Sequence, residues 1–142
     1  MLVAIACPAR VPAATFVCGA DVGWATQFES MGVTWRNASG VKQDPLQTLA
    51  EEGINAVRLR VFVNPPASAM SGGYPIGFCD QASVVSMAVR AKNAGLTRIL
   101  IDFHYSDSFA DPGKQTKPAA WAGHSFTQLL ADVDAHTREV MA

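Results

Sequence analysis

Apolar residues recur along this chain with two different periods. Over 56–62 they alternate, with Val57, Leu59 and Val61 on one side and Arg58 and Arg60 on the other. That is the period of a strand with one buried face. Over 98–104, Ile99, Ile101 and Phe103 alternate with Leu100, Asp102 and His104. A further apolar run, Phe16 to Ala20, predicts a strand ahead of both. Three segments instead carry helix signals. The first has Asp44 as N-cap, Pro45 at the first helical position, Gln47 at N3 and Gly53 just past its end, which is the usual placement of proline and glycine around a helix. The second starts at Asp80, runs through Val84, Val85, Ala88 and Val89, and stops at Gly95. The third starts at Ser125, with Gln128 completing a capping box, and carries Phe126, Leu129, Leu130, Val133, Val140 and Met141.

Gly53 and Gly95 each lead through one apolar residue into a strand, so the order helix, glycine, strand, polar loop occurs twice. Strands alternating with helices predict parallel βα units. The segments 64–79 and 105–124 that follow two of the strands are long, and long loops in a compact domain are more often functional than idle. A doubly wound sheet buries both faces and reads as near-continuous apolar strands. Here one face is apolar and the other carries charge toward the strand ends. That pattern suits a (β/α)8 TIM barrel, whose active site is built at the C-terminal ends of its strands. A complete barrel takes about 250 residues, and this chain has 142. The expected fold is therefore α/β: the N-terminal three βα units of a (β/α)8 barrel, an incomplete barrel.

Composition narrows the function classes. With 49% hydrophobic and 16% charged residues, the chain is too apolar for a disordered tail. A net charge of −1 offers no basic field for phosphate backbones, so no nucleic-acid partner is expected. No apolar run approaches the roughly 18 residues that cross a bilayer. Leu2 to Cys7 is a short apolar run followed by Pro8, Arg10, Pro12, Ala13 and Ala14. Residues 1–15 are thus expected to be a signal-peptide remnant or a disordered leader, pointing to a secreted protein, with 16–142 as the barrel portion. Ala4-Ile5-Ala6-Cys7 also faintly fits a lipoprotein cleavage box. Three cysteines are too few for a disulfide scaffold; Cys18 and Cys79 can pair if the protein is exported. His104, Asp102, Asp107, Asp111 and His124 raise the possibility of a metal-bound water, but no HxH or HExxH spacing occurs. No metal and no cofactor are expected.

Three stretches carry a resemblance: GADVGW (Gly19 to Trp24), GINAVRLRVFVNP (Gly53 to Pro65) and IDFHYSDSFADPGKQTKPAAW (Ile101 to Trp121). Together they resemble the arabinogalactan endo-β-1,4-galactanases of glycoside hydrolase family 53, retaining (β/α)8 enzymes. Phe62 and Phe109 stand where the family pattern has Trp, and Gly23 where Ser is usual. The resemblance implies endo-hydrolysis of β-1,4-linked galactan in pectic arabinogalactan, with the polysaccharide as partner and a monomeric complete enzyme. It implies a Glu acid/base and a Glu nucleophile, about 5–5.5 Å apart in retaining enzymes. The chain's four Glu are Glu29, Glu51, Glu52 and Glu139, and none falls at a strand end. No catalytic residue is therefore expected in this chain. Both Glu are expected beyond Ala142, and the polypeptide alone is expected to be inactive. Two readings stay open: the first portion of a galactanase, or a non-catalytic remnant with at most weak carbohydrate binding.

The resemblance also implies roles for residues at the strand ends. Arg58 would hold the nucleophile carboxylate ionised and oriented, or simply pair with Asp102 inside the barrel. His104 would line the sugar subsite beside the cleaved bond. Asp102, one layer deeper, would orient a neighbour. Arg60 faces the same way, with a structural role equally open. From their loop position, Asp21 can accept hydrogen bonds from sugar hydroxyls, and Trp24 can stack on a pyranose or cover the barrel end. Tyr105, Asp107 and Asp111 lie in the third βα loop, where Asp107 can serve as a turn residue. Trp121 is read as packing before sugar platform.

Overall fold

The computed structural model describes residues 16–66, 70–71, 74–75 and 77–142; the expected leader, residues 1–15, lies outside them. Strand β1 (Gly19–Asp21) is followed by helices α1 (Ala25–Ser30) and α2 (Pro45–Glu51), then strand β2 (Ala56–Phe62). A two-stranded antiparallel pair, β3 (Met70–Ser71) and β4 (Tyr74–Pro75), sits in the following loop. Helix α3 (Gln81–Asn93), strand β5 (Arg98–His104) and helix α4 (Phe126–Met141) complete the order. The strands β1, β2 and β5 form one parallel sheet in that order. This is three βα units side by side, as an incomplete barrel requires.

Each of the three helices α2, α3 and α4 begins where its sequence supplies an oxygen for the first free amides. Asp44 Oδ1 accepts from Leu46 N at 2.8 Å, and Asp80 Oδ1 from Ser83 N at 2.7 Å. Ser125 and Gln128 form the reciprocal capping box. Gln47 does not cap α2; its amide donates to Glu51 one turn on. The ends of α2 and α3 are set by glycines. Gly53 and Gly95 adopt φ of 89° and 91°, a region that costs an L-residue roughly 1–2 kcal/mol. This lets Ile54 N reach Leu49 O and Leu96 N reach Ala91 O, both at 3.0 Å, closing the last turn and aiming the chain into the next strand. Helix α4 has Ala142 as its C-cap.

The core lies between the sheet and its covering helices. Val57, Leu59 and Val61 are buried against Leu46, Val84, Met87, Ala91 and Leu96. Arg90 fastens three helices together. Its guanidinium grips both Glu29 oxygens from α1, at 2.7 and 2.9 Å, while its Nε donates to Asp44 Oδ2 at 2.7 Å. These carboxylates hold the Arg90 pKa above its usual value. Partial burial pushes the Asp44 carboxyl up, but the bonds from Arg90 and the Leu46 amide outweigh it and leave it below the ordinary value.

Several sequence expectations need correction. The first strand is not Phe16 to Ala20 but Gly19–Asp21. Residues 16–18 are held instead by Asn55, whose side chain accepts from Cys18 N and donates to Phe16 O; Phe16 is 83% exposed. Helix α1 is additional to the three helices that the sequence signals: it has six residues and no side-chain cap. The loop over 64–79 contains the short β3–β4 pair. Cys18 and Cys79 do not pair; both are free, one exposed and one buried. Burial pushes the Cys79 thiol up to about 11. The apolar stripes of α3 and α4 are only partly covered, with Val85, Val89, Phe126, Leu130 and Met141 exposed.

Candidate functional site at the strand ends

Parallel register places the charged side chains in rows. Asp21 stands opposite Arg58, Arg60 opposite Asp102, and Phe62 opposite His104. All lie on the face turned away from the helices, where period 2 puts alternate residues. Arg58 bridges two acids, donating to Asp21 Oδ2 at 2.8 Å and to Asp102 Oδ2 at 2.5 Å. Arg60 donates through NH2 to Asp21 Oδ2 and through NH1 to Oδ1. Asp21 Oδ1 also accepts from Gly23 N at 3.3 Å. Two acids and two guanidinium groups thus neutralise one another across three strands. Charge-assisted bonds of this kind are the stronger ones.

His104 joins the network at its far end. Ala110 N donates to Nδ1 at 3.3 Å, and Nε2 lies 3.1 Å from Asp102 Oδ2. An acceptor at Nδ1 leaves the proton on Nε2, so the ring donates to Asp102. Asp102 therefore orients Arg58 and His104 together, consistent with its deeper position.

An aromatic cluster caps this network. Phe62 lies 5.0 Å from the His104 ring and 5.2 Å from Phe109. Phe109 meets His104 edge-on at 5.6 Å and Trp24 at 5.6 Å. The Arg60 guanidinium sits against both Trp24 and Phe109, 5.7 and 5.5 Å from their centroids, a cation–π contact with each of two neighbouring rings. Beside Asp102, His104 and Tyr105, a hollow of about 410 Å³ is walled by Ala110, Gln115, Thr116 and Lys117. A larger hollow of about 790 Å³ lies between α2 and α3, but no strand residue lines it.

The structure brings Asp21, Trp24, Arg58, Arg60, Asp102 and His104 together at one sheet end. It places the other candidates elsewhere. Tyr105 bonds Thr137 of α4. Asp111 closes a tight turn with Gly113 and Lys114. Trp121 is buried against His136. His124 pairs with Asp132 at 2.6 Å. Among the described residues, no three His, Cys, Asp or Glu converge as metal ligands. Asp107 is more than the turn residue its sequence suggests, for its carboxylate joins two loops.

Residues 17–142 match the model of glycosyl hydrolase family 53. The chain belongs to this family. It is 40% identical over 124 residues to the endo-β-1,4-galactanase of Bacillus subtilis, covering 87% of this chain and 28% of that protein. It is 39% identical over 131 residues to the arabinogalactan endo-β-1,4-galactanase of Cellvibrio japonicus, covering 92% and 32%. Its fold superposes on the Ignisphaera aggregans GH53 catalytic domain with a TM-score of 0.77 at 38% identity, covering 92% of this chain and 36% of that one. The chain spans about a third of the length of the relatives it matches. Its three βα units are a segment of the (β/α)8 barrel. None of its described helices is long and apolar enough to cross a membrane.

Proposed function

We propose that this chain is the galactan-binding first portion of a secreted endo-β-1,4-galactanase, comprising residues 16–142 of the barrel domain. The convergence of Asp21, Trp24, Arg58, Arg60, Asp102 and His104 at the C-terminal strand ends carries this reading, because that end is where barrel enzymes build their sites. Asp21 and Asp102 accept, and the arginines donate, so together they match the mixed donors and acceptors of sugar hydroxyls. Trp24 and Phe109 offer apolar rings for pyranose faces. Arg58, held between two acids, has a side chain 40% exposed. A nucleophile carboxylate set beside it stays ionised.

Retaining hydrolysis needs two carboxyl groups about 5–5.5 Å apart across the scissile bond. Glu29, Glu51 and Glu139 lie on helices, and Glu52 ends α2. The family resemblance makes both carboxyl groups Glu, and none of these four stands in the strand-end cluster. On this reading the pair is assigned beyond Ala142, and the polypeptide alone is expected to bind sugar without cleaving it.

The test is a chimera in which residues 17–142 replace the matching stretch of the Bacillus subtilis endo-β-1,4-galactanase. The chimera is expected to hydrolyse β-1,4-galactan with retained anomeric configuration. Arg58→Ala in it is expected to lower kcat/KM by roughly 100-fold, the scale of a misplaced reacting group. The 142-residue chain alone is expected to release no reducing ends. Hydrolysis by the chain alone contradicts the assignment of the Glu pair, and a folded but inactive chimera contradicts the galactanase reading.

A further inference from the structure

Asp107 sits outside the charge network, at the start of the loop over 105–124. Its two carboxylate oxygens serve different segments. Oδ1 accepts from Asn64 N at 3.0 Å, at the start of the loop after β2. Oδ2 accepts from Ala119 N at 2.8 Å, twelve residues further along its own loop. Val63 N also donates to Ser106 O at 3.0 Å, so the β2 exit is tied to this loop twice. The carboxylate thus closes the lobe 108–118 at its neck and fixes that neck to β2.

The lobe holds two groups that reach the strand-end cluster. Phe109 supplies one of the two rings against the Arg60 guanidinium. Ala110 N supplies the bond to His104 Nδ1, on the opposite side of the ring from the Nε2 bond to Asp102. The lobe's own backbone bonds lie in the Asp111–Lys114 turn, beyond these two positions. Ser108 N reaches Ser106 Oγ at 3.3 Å, and the Phe109 ring packs on Trp24, Phe62 and His104. The Asp107 carboxylate ties both ends of the lobe to each other and to β2.

We propose that Asp107 is a positioning residue for the sugar site, acting through the lobe to seat Phe109 on Arg60 and Ala110 on His104. The sugar part rests on the galactan-binding reading above; the clamp does not. An anionic carboxylate is needed because both partners are N–H donors and only a carboxylate presents two acceptor oxygens in this geometry. An amide has one acceptor, so Asp107→Asn keeps at most one tie and opposes an NH2 to the other donor.

Three readouts on the whole 142-residue chain test this, with Asp107→Asn and Asp107→Ala compared to wild type. Amide hydrogen exchange is expected to quicken at least tenfold over 108–119 in both variants, with β2 protection unchanged. The His104 Nδ1 15N shift is expected to move as its amide donor is lost, while Nε2, still bonded to Asp102, keeps its proton. Affinity for β-1,4-galactotetraose is expected to fall several-fold. Unchanged exchange and unchanged His104 shifts overturn the proposal. So does loss of protection throughout the sheet in both variants, which makes Asp107 a general fold determinant. Opened lobes and altered His104 shifts with no wild-type sugar binding uphold the clamp and refute the galactan reading. Opened lobes with unchanged sugar affinity overturn the role at the sugar site.

Discussion

His136 is a buried titratable group whose protonation ties stability to pH. It is 7% exposed on α4 and is ringed by Phe103, Tyr105 and Trp121 at 6.1–6.2 Å. Its Nε2 is buried without a hydrogen-bond partner among the described residues. Burial lowers its pKa from 6.5, with Glu139 opposing weakly. The unfolded imidazole takes up a proton near pH 6.5, while the folded one resists until lower pH. The unfolded state then binds more protons, so stability is full above about 6.5 and declines as pH falls below it. Urea midpoints measured from pH 8 to pH 5 are expected to decline more steeply for wild type than for His136→Phe. Parallel curves contradict the assignment. At this scale the sequence disclosed the individual charges at 21, 58, 60, 102 and 104, because alternation exposed them. It also offered the Arg58–Asp102 pair, which the structure contains, but not that Asp21 serves both Arg58 and Arg60, since that depends on register between strands 37 to 39 residues apart. Asp107 was hidden for the same reason: a turn aspartate and a clamp look alike until the distant amides are in place.

Element boundaries follow the strength of local signals. The helices capped by Asp44, Asp80 and Ser125 begin where their side-chain oxygens demand. The strands β2 and β5 match their alternating runs residue for residue. Helix α1 escapes a sequence reading because six residues hold less than two full turns of periodicity. Strand β1 is shifted because Asn55 captures the backbone of residues 16 and 18 with its side chain. Apolar spacing on α3 and α4 marks a face that is apolar, not one that is covered, which is why Val85, Val89, Phe126 and Leu130 stand exposed. The glycine stops make the sharpest test at this scale. Gly95 has φ of 91° and open space where a Cβ would sit. Gly95→Ala is therefore a pure backbone cost, expected to be about 1–2 kcal/mol. Thermal melts will show it as a lowered Tm. An equal or higher Tm contradicts the claim that this turn requires the left-handed region.

At the scale of the whole molecule, one face of the sheet is finished and the other is not. The helix-facing side is a closed core. The opposite side carries the neutralised charge network, with Leu100 61% exposed beside it. Both β1 and β5 have one unpaired edge in the described sheet, and open parallel edges favour association with further strands. The family membership explains this arrangement: the same three units form a segment of a barrel in relatives about three times as long. On the proposed reading, the strand-end cluster is complete enough to contact a sugar and lacks the carboxylate pair that would cleave it. The most direct test is a 1H–15N chemical-shift titration of the labelled 142-residue chain with β-1,4-galactotetraose. Saturable shifts are expected at amides over 21–24, 58–62 and 102–111, with a dissociation constant on the order of 1 mM, about −4 kcal/mol, and with the tetraose intact at the end. No saturable shift at those amides, or shifts confined to the helices, contradicts the assignment of this sheet end as a galactan site.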